Sequence, residues 1–342
     1  MTHKLAYSLA MALAAATLPV ATSAQTAAAP ATAQSEDARL TAFLDAEFAA
    51  YVKTQPQLAT RLGIKEGGDK WNDNSDEGAR AEAEWRKASA ARMKAQFDRA
   101  KLSPAAQVHY DIWALEAERA EISLANRLYR PPFYSRLYSA HSQLPDFLIN
   151  THTVGDVTDL RHYIARLKGM PEVLARALER TQASQKAGIN PPRFQFETIT
   201  EGSRRLTSGA PYGEGPDAAL WADVKAKTAA LVTAGMLPQT EADALLEEAK
   251  AAILALQPAY GAIIEWAQAS LPTAPGGKVG ALTLPGGLDY YQRELKLVTT
   301  TDMTAAEIHA TGRAEVARIE AEQDALARQA GFADRHAFYA ER

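Results

Sequence analysis

Apolar residues recur every three or four positions along most of the chain, which is the spacing of one buried helix face. This spacing predicts helices over residues 36–52, 76–100, 103–128, 156–188, 216–234, 240–271 and 305–330. In the longest of them one face carries Val157, Leu160, Ile164, Leu167, Val173, Leu174 and Leu178. Pro171 lies inside this pattern and predicts a kink or a break near Gly169, because proline lacks the N–H that a helix interior needs.

Strand signal is sparse by comparison. Only the run 278–284 has the composition of one or two short edge strands, and we predict irregular chain over 63–75, 130–145, 188–196, 207–215 and 272–301. The predicted fold class is all-α, a multi-helix array with at most a small β-hairpin near 278–284.

The last predicted helix is specified at both ends. Thr304 and Glu307 have the spacing of a capping box at its start, and Gly331 lies where a left-handed residue ends a helix. We expect one face of this helix to pack on its neighbours, with Gly312 permitting a close approach; the apolar positions are Ile308, Val316, Ile319 and Leu326.

The segment before that helix carries the candidate chemistry. Gly286 and Gly287 allow backbone conformations that other residues disfavour. Tyr290 and Tyr291 cannot both face one way, so either one of them offers a hydroxyl to a cleft or both are packed core aromatics. His309, in the first turn of the helix, is either a neutral hydrogen-bonding group near a cleft or a solvated side chain. These five residues are the predicted substrate-binding positions, chosen because they lie in the segment from Leu284 that carries the family resemblance described below.

The N-terminus predicts export. Lys4, the apolar run 5–21 and the small residues at 22–24 indicate a signal peptide over 1–24, followed by a disordered linker over 25–35 and a helical domain over 36–342. We expect a periplasmic or secreted protein with no membrane association after signal cleavage.

Composition excludes several classes of function. The chain has no cysteine, so disulfides, thiolate metal sites and cysteine nucleophiles are absent. The formal charge is −4 with both signs interspersed, which gives no basic stripe for nucleic acid. The motifs of serine hydrolases, dinucleotide enzymes and P-loop proteins are missing.

Several motifs, in order along the chain, carry a resemblance to a known family. They are PQLATRLG at 56–63, DVTDLRHYIARLKG at 156–169, GINPPR at 188–193 and LPGGLDYYQRELKLVTTTDMTAAEIHATGRAEVARI from Leu284. The sequence resembles the bacterial domain-of-unknown-function 885 family from about residue 37 to 342. The resemblance implies a helical, zincin-like zinc peptidase with an HExxH-like helix and a further glutamate downstream.

The histidines depart from that pattern. None of the seven stands four residues from another, as a shared zinc ion on one helix requires, so we predict no metal site and no catalytic residue in this chain. We expect the N-terminal portion of an exported zinc-dependent, peptidase-like hydrolase, truncated at its C-terminal end. It would provide scaffold and one wall of a cleft for a peptide substrate, while zinc is expected only for the intact family member. The alternative is a non-catalytic periplasmic helical binding or scaffolding module.

Overall fold

The structure, a computed structural model, describes residues 35–134, 139–277 and 279–341. Its helices are α1 (Glu36–Lys53), α2 (Pro56–Arg61), α3 (Asp76–Gln96), α4 (Pro104–Ala125), α5 (Ala140–Asp146), α6 (Val157–Lys186), α7 (Arg193–Leu206), α8 (Ala219–Thr233), α9 (Gln239–Leu254), α10 (Leu256–Ser270), α11 (Gly287–Thr299), α12 (Ala305–Gln329) and α13 (Arg335–Ala340). These residues contain no β-strand, which confirms the all-α prediction. The predicted signal peptide lies outside the described residues, as does the predicted linker except for Ser35, whose hydroxyl caps α1.

The long helix α6 is the centre of the main hydrophobic core. Its predicted apolar stripe packs into this core. Leu160, Leu167 and Leu174 are fully inaccessible to solvent, and Val157, Val173 and Leu178 at the flanks are partly buried. Helices α5 and α7–α10 pack around it and around one another. We call α5–α10 the central bundle. A smaller core joins α1, α3 and α4 through Leu40, Met93, Phe97, Leu102, Ala106 and Tyr110.

The helices after Pro285 form a different kind of structure, which we call the C-terminal arm (α11–α13). Helix α11 packs on α4 and on the turn at Ala281–Thr283, and α13 packs on α12. The predicted capping box at Thr304 is present, and Gly331 has the predicted positive φ of 90°. The predicted packing of α12 is wrong, however. Val316, Ile319 and Leu326 are 42–63% exposed, and a side chain at Gly312 would meet nothing within 4 Å.

Two long helices bear on the predicted continuity of the chain. Helix α6 runs through Pro171, where a kink or a break was predicted, without a break, because both of its halves are held in the same core. The predicted helix over 240–271 is two helices that meet at Ala255. Pro258 explains the division, since it cannot donate to the carbonyl four residues earlier.

The segment 272–301 is more regular than predicted. The described part of the expected strand at 278–284 is a 3-10 turn at Ala281–Thr283, and Lys278 lies outside the described residues. The prediction of an edge strand is therefore wrong. Helix α11 follows, in a region predicted to be irregular. The prediction missed this helix because it begins after a left-handed glycine and has no side-chain cap.

None of the helices in the described part of the chain is long and apolar enough to cross a membrane.

Candidate functional site

An open groove of about 460 Å³ lies beside the predicted substrate-binding segment. One wall is the segment 188–192 and the other is formed by Pro275 and most of 279–284; Tyr129, Tyr134 and Tyr290 complete it. We call it the Tyr290 groove. Two segments that carry the family resemblance, nearly 100 residues apart in sequence, therefore meet at one place.

Glycines allow these segments to come together. Gly286 has a φ of 64°, and a Cβ there would lie 2.6 Å from the Tyr129 hydroxyl. At Gly287 a Cβ would lie 1.9 Å from the carbonyl oxygen of Ala281, which no side-chain rotation can relieve. The predicted glycine pair is thus required by close backbone approach.

Tyr290 stacks on a second tyrosine at the rim of the groove. Its ring lies 4.5 Å from that of Tyr129, with the planes 8° apart. The Tyr129 hydroxyl donates to the carbonyl of Pro285 at 2.8 Å, which fixes the pair to the backbone before α11. Burial, and then the neighbouring Glu294 carboxylate, raise the pKa of Tyr290, so its hydroxyl is a neutral donor and acceptor at neutral pH.

A polar network beneath the groove holds α11 on the end of α4. Asn126 is fully buried; its amide donates to Glu294 at 2.6 Å and its oxygen accepts from Arg293 at 2.5 Å. Arg130 pairs with the other oxygen of Glu294. Sequence reasoning missed this network because Asn126 stands at the end of α4, about 170 residues from its partners.

The structure brings three of the five predicted residues together. Gly286, Gly287 and Tyr290 lie at or directly beside the groove. Tyr291 is 38% exposed and does not line it, and His309 is exposed on α12 and does not line it either. Within the described residues the predicted positions thus form one site only in part.

His141 and His152, the two histidines that are buried among the described residues, are neutral and lie away from the Tyr290 groove. His152 Nε2 lies 3.1 Å from the carbonyl of Asp159, and its Nδ1 lies 2.9 Å from Arg166 Nη1. Because arginine can only donate, Nδ1 accepts and Nε2 carries the proton. Burial, reinforced by the charge of Arg166, lowers the pKa of His152 to about 4. Burial, with the charge of Arg205, lowers the pKa of His141 to about 4 as well.

The described residues do not form a group that fits a catalytic zinc ion. Over the described ranges, no three histidine, aspartate or glutamate side chains are grouped so that they could hold a metal. We therefore derive no catalytic step through a metal in this chain.

The PQLATRLG segment has a structural explanation. Arg166, fully buried on α6, donates to the carbonyl of Pro56 at 3.2 Å and to the Thr60 hydroxyl at 2.8 Å. A third bond runs to the carbonyl of Lys70 at 2.9 Å. Burial lowers the pKa of Arg166 to about 10, yet the guanidinium remains charged at neutral pH and holds α2 against α6.

Comparisons with known proteins agree on the family and the fold. A family model described as "Bacterial protein of unknown function (DUF885)" matches residues 56–341. The fold is similar to the crystal structure of a "putative lipoprotein" from Colwellia psychrerythraea, with a TM-score of 0.66 and 16% sequence identity. That match covers 88% of this chain and 52% of the other, so this chain spans about half the length of its structural neighbour. A search of curated proteins finds no match.

Proposed function

Because the chain belongs to the bacterial DUF885 family, we propose that it is the scaffold-forming portion of an exported zinc-dependent, peptidase-like hydrolase. In this proposal it supplies one wall of a peptide-binding cleft, and the metal-binding residues belong to a part of the longer protein that this chain does not contain. The observation that carries the proposal is the meeting of the 188–192 and 284–290 segments in the Tyr290 groove.

The chemistry of the groove suits an extended peptide. Its walls combine proline and aliphatic surface with tyrosine hydroxyls and exposed backbone, which is the mixture typical of sites for polar chains with apolar side groups. Stacked Tyr129 and Tyr290 form a rigid aromatic edge that costs little conformational entropy to use.

The C-terminal arm supports the view that a further body of protein completes the cleft. Leu288, Val298 and Leu326 are 63–75% exposed on α11 and α12. Large apolar side chains on successive helices normally mark a surface that another part of a protein covers. The structural neighbour is about twice as long as the matched region, which is consistent with such a body.

A helical binding module without catalysis is the second candidate. The observation that favours it is the closed core of the central bundle, which needs no further segment to bury its apolar residues. Such a module would bind a ligand in its grooves and release it unchanged.

One experiment separates the two candidates. The 342-residue chain and the product of the whole reading frame are purified, zinc is measured by mass spectrometry, and hydrolysis of a peptide library is followed by liquid chromatography. We expect zinc and hydrolysis only in a product longer than this chain. Stoichiometric zinc with hydrolysis by the 342-residue chain would overturn our assignment. Peptide binding without hydrolysis by the whole product would favour the binding module.

A further inference from the structure

A second cavity, of about 250 Å³, lies among α2, α5, α6 and the 72–75 loop. Four arginines line it, Arg61, Arg130, Arg176 and Arg180, together with a single carboxylate, Asp146. We call it the arginine cavity. It is distinct from the Tyr290 groove, although Arg130 stands between the two.

Most charges around the cavity are engaged away from it. Arg176 pairs at 2.8 Å with Glu172, a solvent-exposed residue that does not line the cavity, and Arg130 pairs with Glu294 beneath α11. Asp146 accepts a hydrogen bond from Asn150 at 2.7 Å. Arg61 makes no ion pair with any described residue and lies over the ring of Phe147, 5.8 Å from its centre.

Arg180 is mostly buried, yet its contacts to other groups are long. Its nearest carboxylate, Asp76, lies 3.8 Å away and is already bonded to Arg127 at 2.5 Å. A contact of 3.5 Å to the carbonyl of Asn74 is at the limit of a hydrogen bond. Its side chain is only 20% exposed, and burial together with the charge of Arg127 lowers its pKa to about 10. A half-buried guanidinium that shares one carboxylate with another arginine leaves donors for an anion.

The remainder of the lining combines an apolar floor with amide and hydroxyl side chains. Leu144, Phe147 and Ala177 are buried beneath it. On one side Gln57 and Asn72 are joined by a hydrogen bond of 2.9 Å from the backbone of the former to the side chain of the latter. The volume equals that of about eight water molecules at ~30 Å³ each, enough for one or two amino-acid residues.

We propose that the arginine cavity binds a small carboxylate whose apolar side group lies on this floor, such as the carboxyl end of a short peptide. The planar guanidinium fork matches a carboxylate in two parallel hydrogen bonds. In this proposal Arg61 and Arg180 are the arginines that donate hydrogen bonds to the carboxylate. Leu144 and Phe147 contact its apolar side group. This binding requires no hydrolysis and stands whether or not the proposed function holds.

The test is calorimetric titration of the 342-residue chain with N-acetyl-Ala-Phe and with its C-terminal amide. We expect the acid to bind and the amide to bind roughly tenfold more weakly or worse, because charge-assisted hydrogen bonds are lost. Arg61→Gln and Arg180→Gln should each weaken binding of the acid by a similar factor. Arg61 is exposed, so its variant tests the site even if Arg180→Gln does not fold.

Arg161→Gln is the matched control, since this arginine is 59% exposed on α6 and pairs with Glu241 away from the cavity. It should leave the affinity unchanged. Equal binding of acid and amide, no binding of either, or wild-type affinity in Arg61→Gln would each overturn the proposal. Inorganic phosphate serves as a second probe, and binding as tight as that of the dipeptide would refute the assignment to carboxylates.

Discussion

The central bundle and the C-terminal arm both contain helices with an apolar face at helical spacing, but this face is buried in the bundle and exposed in the arm. On α6 the middle of the apolar stripe, at Leu160, Leu167 and Leu174, is inaccessible to solvent, because α5, α8, α9 and α10 pack against this helix. On α12 only Ala327 is buried, and the rest of its apolar face is open. The arm is nevertheless well specified locally, with a capping box at its start and a left-handed glycine after its end.

The comparison separates two sources of helix stability. Capping and propensity act within one helix and contribute about 1 kcal/mol per feature. Burial acts between helices and contributes roughly 1.5–3 kcal/mol for each large side chain. The bundle has both sources, whereas α12 depends mainly on the first. Substitutions at equivalent kinds of residue in the two regions should therefore differ sharply in their effect.

The largest difference is expected for leucine truncation. Leu167→Ala on α6 leaves a cavity in the core and should lower the free energy of unfolding by roughly 3–5 kcal/mol. Leu326→Ala on α12, where the side chain is 63% exposed, should change it by less than ~0.5 kcal/mol. Urea titration followed by circular dichroism measures both. A large loss from Leu326→Ala would mean that the arm is covered in solution.

Acid should weaken the bundle more than the arm. The pKa values of buried His141 and His152 are about 4 in the folded chain, below their ordinary value of 6.5. Between pH 6.5 and 4 the unfolded chain therefore binds protons that the folded chain does not, so stability rises with pH across this window and the gain is complete above pH 6.5. Each ring contributes up to roughly 3 kcal/mol.

Variants assign this pH dependence to residues. His152→Gln should flatten the profile of unfolding free energy against pH between 4 and 6.5, because glutamine can still accept from Arg166 and does not titrate. His309→Gln, on the exposed start of α12, should leave the profile unchanged. An identical slope in wild type and His152→Gln would show that this ring is not the buried neutral group described above.

The same contrast explains how far the sequence can predict this molecule. The stripe on α6 and the capping box at Thr304 are local patterns, and both were predicted correctly. Whether the apolar face of α12 is covered depends on what else is present, which spacing does not encode. Helix α11 escaped prediction because its start is a glycine held by tertiary contact with Tyr129.

The candidate site also divides into residues that a local pattern identifies and partners that only tertiary contact brings to them. The glycine pair and Tyr290 were predicted because they belong to the segment that carries the family resemblance, and they line or border one groove. The partners that fix them come from distant positions, Tyr129 through stacking and Asn126 through Glu294. No single-sequence pattern joins residues so far apart. The four arginines of the second cavity come from α2, α6 and the loop before α5, and they were missed for the same reason.

Two glycine-to-alanine substitutions should change stability in opposite directions. Gly287→Ala places a methyl group against the Ala281 carbonyl and should destabilise the chain by about 1–3 kcal/mol, since backbone must shift. Gly312→Ala, in the open middle of α12, should stabilise that helix by about 0.5–1 kcal/mol, because alanine loses less entropy. Thermal unfolding measures the first and hydrogen exchange of α12 amides the second. Destabilisation by Gly312→Ala would indicate close helix contact there in solution.

The capping box at Thr304 gives the prediction that is most specific to the arm. Thr304 accepts from the Glu307 amide at 3.3 Å, and Glu307 in return accepts from the Thr304 amide at 2.7 Å. Thr304→Ala should remove about 1 kcal/mol from α12. Since α12 makes little contact with the bundle, the loss should appear as faster hydrogen exchange in its first turns with no change in global unfolding.

Ser75→Ala, which removes the 2.9 Å cap bond at the start of α3, is the matched control. Helix α3 packs along α4, so there the same loss must appear in the global free energy of unfolding. A global effect of similar size from both variants would show that the arm unfolds in one cooperative unit with the helices before it, and the distinction between the two regions would then be one of exposure alone.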